Sequence, residues 1–213
     1  MPRLFLALLA ISLGGCESTY YDAMERFGVH KRAILIDRIE AAQTSQEKGQ
    51  AQFRDAMEQF QAIVNFDGGD LEVIYIKLDS EYQDSVDAAD TIRDRISSVE
   101  SVAEALFSEW ETELDEYSSA TLKRNSQRQL KQTRKRFNQL MSSMQNAERT
   151  IDPVLYSLKD NVLYLKHNLN ARAIASLKGE LSTVNEDVNT LIEAMQTAIN
   201  ESSAFIDQMK TDR

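Results

Sequence analysis

Cysteine, proline, glycine and histidine are all scarce in this chain of 213 residues, and each scarcity excludes something. A single cysteine, Cys16, rules out an internal disulfide. Two histidines, His30 and His167, stand far apart without a partner at metal-ligand spacing, so no metal site is expected and no cofactor motif is present. There is no GxxxxGK[ST], GxSxG or HExxH, which removes the P-loop ATPases and the common hydrolase and zinc-protease signatures. Basic residues number 24 against 34 acidic, a formal charge of −10, so the broad basic footprint of a nucleic-acid binder is missing. The longest uncharged apolar run, Leu4–Leu13, is too short to span a bilayer, which takes about 20 residues. With only two prolines and seven glycines, little interrupts helix formation.

What is present begins with that apolar run. Arg3 precedes it and Leu13-Gly14-Gly15-Cys16 follows, the order of a secretory signal. The last four residues resemble the bacterial lipobox, which implies cleavage after residue 15 and a lipid on Cys16. Several acyl chains on one residue are enough for stable anchoring. The expected organisation is therefore a signal peptide over 1–15 and one domain over 16–213. Removing residues 1–15 takes away Arg3 and no acid, so the mature chain is more acidic still. Glu17 and Ser18 follow the cysteine in place of the aspartate typical of inner-membrane retention. That resemblance points to the periplasmic, inner leaflet of the outer membrane.

From Tyr20 onward apolar residues recur at spacings of three and four, the helical period, and no segment alternates as a strand would. One stripe runs Leu35, Ile39, Ala42, Phe53, Met57, Phe60, Val64, thin and polar around Gly49. The NFDGGD turn, residues 65–70, ends it; Asp70 is placed to cap the next helix, and the acids are too few for an EF-hand calcium loop. A second stripe runs from Leu71 to Tyr117, with Trp110 at core spacing, and Thr121 is the expected cap of a third helix. In that third segment Asp152-Pro153 reads as an N-cap with proline at the first helical position, or as a kink in one long helix. A turn near His167–Asn170 gives four helices of comparable length, each able to cover the others' stripes. The fold class expected is thus all-α, an elongated antiparallel four-helix bundle. The alternative is an unturned, three-helix BAR-like or spectrin-like rod whose exposed stripe requires a homodimer.

Two polar clusters stand out. Between Thr121 and Phe137 lie Lys123, Arg124, Arg128, Lys131, Arg134, Lys135 and Arg136, with no acid from Ser118 to Ala147. This segment is a candidate surface for an anionic partner, such as lipid headgroups or another envelope polymer. Internal pairing is the competing and preferred explanation, because the preceding helix ends in Glu109, Glu111, Glu113, Asp115 and Glu116. The other cluster, His167, Asn168, Asn170 and Arg172, is either a polar site or a capped turn, and the turn is preferred.

Four stretches, YYDAMERFGVHKR, VNFDGGDLE, VAEALFSEWETELDEY and VLYLKHNLNARAIASLKGEL, resemble an uncharacterised family of Gram-negative bacterial lipoproteins. That resemblance implies an envelope location and a helical fold and carries no reaction. The expected function is a non-enzymatic periplasmic scaffold or adaptor, with a membrane partner through the lipid and a protein partner in the envelope. A membrane-shaping rod and an enzyme with an unrecognised site near His167–Arg172 are the alternatives.

Overall fold

A computed structural model describes Tyr21, Met24 and residues 30–66, 68 and 70–211. Among the described residues from 30 on, five helices follow in order: α1, Lys31–Val64; α2, Leu71–Glu113; α3, Ala120–Arg149; α4, Ile151–His167; and α5, Ala171–Thr211. A single 3-10 turn, Leu114–Glu116, closes α2, and the described residues contain no strand. Thr150 alone separates α3 from α4, so the two act as one bent arm. The result is an antiparallel four-helix bundle, all-α as the spacing predicts.

α1 packs on α2 and α5, and the α3–α4 arm also packs on α2 and α5, so α1 lies diagonally across from α3. With 43 residues, α2 is about 65 Å long at 1.5 Å per residue. The core runs this whole length: Leu35, Phe53 and Phe60 from α1, Leu78 and Ile92 from α2, Leu140 and Ile151 from the arm, and Leu191 from α5 are buried. Near one pole Phe137 ties three helices together, its ring 5.5 Å from Phe107 and 6.0 Å from Phe205, both edge-on. That pole also holds both ends of the bundle. Lys31 pairs with Glu109 at 3.1 Å, Arg32 donates to the Met209 carbonyl, and Lys210 pairs with Glu40 at 2.8 Å.

The turns are where residue choice shows most directly. Asp70 caps α2 by accepting from the Glu72 N–H at 3.0 Å, and Gly68 adopts φ +149°, a conformation L residues rarely take. Two further residues of the NFDGGD turn, Asp67 and Gly69, lie outside the described residues. Asn170 caps α5, its Oδ1 accepting from the N–H groups of Arg172 and Ala173 at 3.0 and 3.2 Å. The chain therefore turns at 168–170, and the unturned three-helix rod does not form.

Three local expectations are corrected. The α3 cap is Ser119, which accepts from the Leu122 N–H at 3.4 Å, and Thr121 lies inside the helix. Asp152 is not a cap: it sits in the first turn of α4, paired with Arg93 at 2.6 Å. The break falls upstream of Pro153 because the proline ring acts on the carbonyl four residues earlier, at Arg149. Thr150 closes the end of α3, its N–H and its Oγ1 both donating to the Ala147 carbonyl, at 3.1 and 2.7 Å. Finally, Tyr117, Leu122 and Leu169 are exposed although they extend the apolar stripes. They fall in a turn or a first helical turn, where no facing helix covers them.

Candidate functional site

The seven basic residues of α3 are sorted by the helix's rotation. Residues advance by 100° each, and Leu130, Phe137 and Met144 mark the buried side. Lys123 and Arg134, eleven positions apart, share the flank that faces α2. Lys123 pairs there with Asp115 at 2.9 Å, and Arg134 pairs with Glu111 at 2.5 Å. The Arg134 guanidinium also sits 5.0 Å from the centre of the Phe107 ring. Glu111 responds to this contact: the hydrogen bond from Arg134 lowers its pKa, desolvation opposes the shift, and the guanidinium charge adds to the lowering.

Arg124, Arg128, Lys131 and Lys135 occupy a different place. Their spacing of four, three and four puts them within an arc of roughly 60°, opposite the buried side, and all four are exposed. Among the described residues none of them reaches an acid; Arg128 bonds only Asn125 of its own helix. Arg136 is exposed as well, on the remaining flank. Internal pairing thus accounts for two of the basic side chains and leaves a straight row of four.

Neighbouring like charges at these spacings destabilise a helix by about 0.2–0.5 kcal/mol per pair. Pairing with neighbouring acids does not account for the row. Beside it lies a shallow groove of about 430 Å³, lined by Glu111, Leu114, Leu130, Lys131, Arg134 and Lys135 among others. At the same pole Tyr117 and Leu122 expose 40% and 56% of their surface. The sequence signal for the row was present in the three-and-four spacing; what the sequence alone did not separate was this row from the paired flank.

The second cluster is a turn. Asn170 caps α5 as described, and the Asn168 side chain donates to the Tyr164 carbonyl at 2.9 Å. His167 and Arg172 are exposed, and neither side chain is bonded to the asparagines. A groove nearby, between α4 and α5, is lined by Tyr156, Asp160, Asn161, Tyr164 and Glu180. Leu13, Gly14, Gly15 and Cys16 lie outside the described residues. Among those described, no helix is long and apolar enough to cross a membrane.

Tyr21 has an unexpected position. It is buried against the bundle with its hydroxyl 3.2 Å from Ser101 Oγ, on α2. Ser101 is twelve residues before the end of α2, so Tyr21 is fastened to the flank of the bundle.

A family model described as "Protein of unknown function (DUF2959)" matches residues 20–209. No curated protein matches the chain.

Proposed function

The chain belongs to the DUF2959 family, whose function is unknown, and on that premise we propose that it is a non-enzymatic, lipid-anchored scaffold or adaptor of the cell envelope. Leu13-Gly14-Gly15-Cys16 behind a ten-residue apolar run supports the anchor. Glu17 and Ser18 favour the periplasmic leaflet of the outer membrane over the inner membrane.

The observation that carries the scaffold reading is the row Arg124, Arg128, Lys131 and Lys135. It costs the helix some stability, is left unpaired by α2, and stands out on a chain of net charge −10. Such a row is what a protein keeps in order to meet something anionic.

The anchor is tested by Cys16→Ser followed by fractionation of cell envelopes. The wild type is expected in the membrane fraction and the variant in the soluble periplasm or as uncleaved precursor. Equal partition of mature variant and wild type into membranes would show that the cysteine is a spectator. For the scaffold, crosslinking in cells should trap envelope partners that are lost when Arg128, Lys131 and Lys135 are reversed in charge.

A further inference from the structure

The shape of the basic row says what kind of anion it fits. Four cations in line along about 17 Å of a convex helix ridge cannot enclose a small ion, since no opposing wall exists. All four can touch a plane at once. Each Lys or Arg held near an anionic lipid surface adds to the attraction, and high salt weakens it. Tyr117, in the turn before α3, adds an exposed aromatic side chain at the same pole, a residue type that settles at a membrane–water interface. The adjoining groove is lined by Leu114 and Leu130, by Lys131, Arg134 and Lys135, and by Glu111, whose carboxylate Arg134 already holds.

The acids near the row are arranged to one side. Glu111 and Asp115 are taken by Arg134 and Lys123, while Glu113 and Glu116 at the end of α2 are exposed. An anionic surface is therefore repelled by the α2 edge and attracted by the α3 ridge, which fixes the side that faces it.

The position of the tether agrees. Tyr21 is held against Ser101, and the five residues from Cys16 to Tyr21 span at most about 18 Å. Ser101 lies about 15 Å along α2 from Glu111, which marks the level of the row. A lipid on Cys16 would therefore lie within reach of the level of the row.

We infer that Arg124, Arg128, Lys131 and Lys135 form a docking ridge for the phosphate surface of an anionic bilayer, laying the α3 side of the bundle against the membrane that holds the lipid anchor. This rests on the reading of Cys16 as the anchor. It goes further by naming the anionic partner and the orientation: α1, diagonal to α3, faces away from the membrane.

The test uses lipidated protein purified from cells and placed on vesicles of phosphatidylcholine alone or of phosphatidylcholine with phosphatidylglycerol. A water-soluble amine-acylating reagent then reports the reactivity of Lys131 and Lys135. Lys77 and Lys178, exposed at the opposite pole, are the internal references. On the anionic vesicles, labelling of Lys131 and Lys135 should fall about threefold or more relative to the references, and high salt should restore it. The variant Arg124→Gln/Arg128→Gln keeps both reporter lysines and should lose most of the protection. Protein that floats with both vesicle types but shows equal labelling on them keeps its anchor and overturns the ridge. Protein that floats only with anionic vesicles supports the ridge and sinks the anchor; flotation with neither overturns both. Protection found in whole envelopes but not on anionic vesicles would assign the row to an acidic protein and overturn the lipid assignment.

Discussion

Arg134 and Glu111 are joined across the α2–α3 interface at 2.5 Å, and the same guanidinium lies over the face of Phe107. One side chain thus reads the neighbouring helix twice, by charge and by its aromatic ring. A double-mutant cycle of Arg134→Gln with Phe107→Leu should give a coupling of about 0.5–1 kcal/mol in chemical denaturation. Additive losses would mean that the contact is incidental.

The same pair sets a pH dependence. Folding lowers the Glu111 pKa from 4.5, so the pairing stabilises the bundle above that value and is lost as pH falls through the lower folded value. In Arg134→Gln the loss of Tm on acidification below about pH 4.5 should be smaller than in the wild type. Identical acid profiles would show that the pair is dispensable.

Lys131 should be a residue that folding would rather not have. Lys131→Glu converts its repulsions with Arg128 and Lys135 into attractions, each worth about 0.2–0.5 kcal/mol. The expected result is an unchanged or slightly raised Tm by circular dichroism. A clear fall in Tm would mean that Lys131 has a structural partner after all.

In α1, Gln46 is fully buried and neither atom of its carboxamide has a hydrogen-bond partner. Unsatisfied buried groups of this kind cost about 1–3 kcal/mol. Gln46→Leu should therefore raise Tm by about 2–4 °C for each kcal/mol recovered. A lower Tm would point to an ordered water that the carboxamide holds.

Three residues on, Gly49 permits the close approach of α1 to α2. A Cβ added there would lie 2.6 Å from Ile92 Cδ1. Gly49→Ala should consequently lose the roughly 1 kcal/mol of helix propensity it gains, and more, to overpacking. Ile92→Val removes the offending atom, so Gly49→Ala/Ile92→Val should be more stable than Gly49→Ala alone. Equal or lower stability of the double variant would refute the close-approach explanation.

Most of the architecture was legible because helical spacing persists wherever a helix needs covering. The turns at 65–70 and 168–170 announced themselves through glycines and asparagines whose caps are now visible at Asp70 and Asn170. The cap of α3 was harder. Ser118, Ser119 and Thr121 all carry hydroxyls, and only the 3-10 turn ending at Glu116 decides which one meets the first free N–H. The break at Thr150 was displaced from its cause, because proline disturbs a carbonyl one turn upstream of itself. The basic segment was legible as a charge run but not as two populations. That division depends on which flank α2 occupies, a fact of packing that the sequence of α3 does not contain. Gln46 was invisible for the opposite reason: a lone polar residue in a thin stretch of stripe reads as surface until the helices close around it.

Because α1 begins and α5 ends at one pole, joined through Arg32 and Met209 and through Lys210 and Glu40, the bundle has a mechanical polarity. A load applied between its two ends would not stretch the rod along its length, where whole helical faces would have to slide together. It would peel α1 from α5, one layer of side chains after another, beginning at that pole. Tension entering at the first helix and leaving at the last would meet a zip, whereas tension passing from one pole to the other would meet a beam.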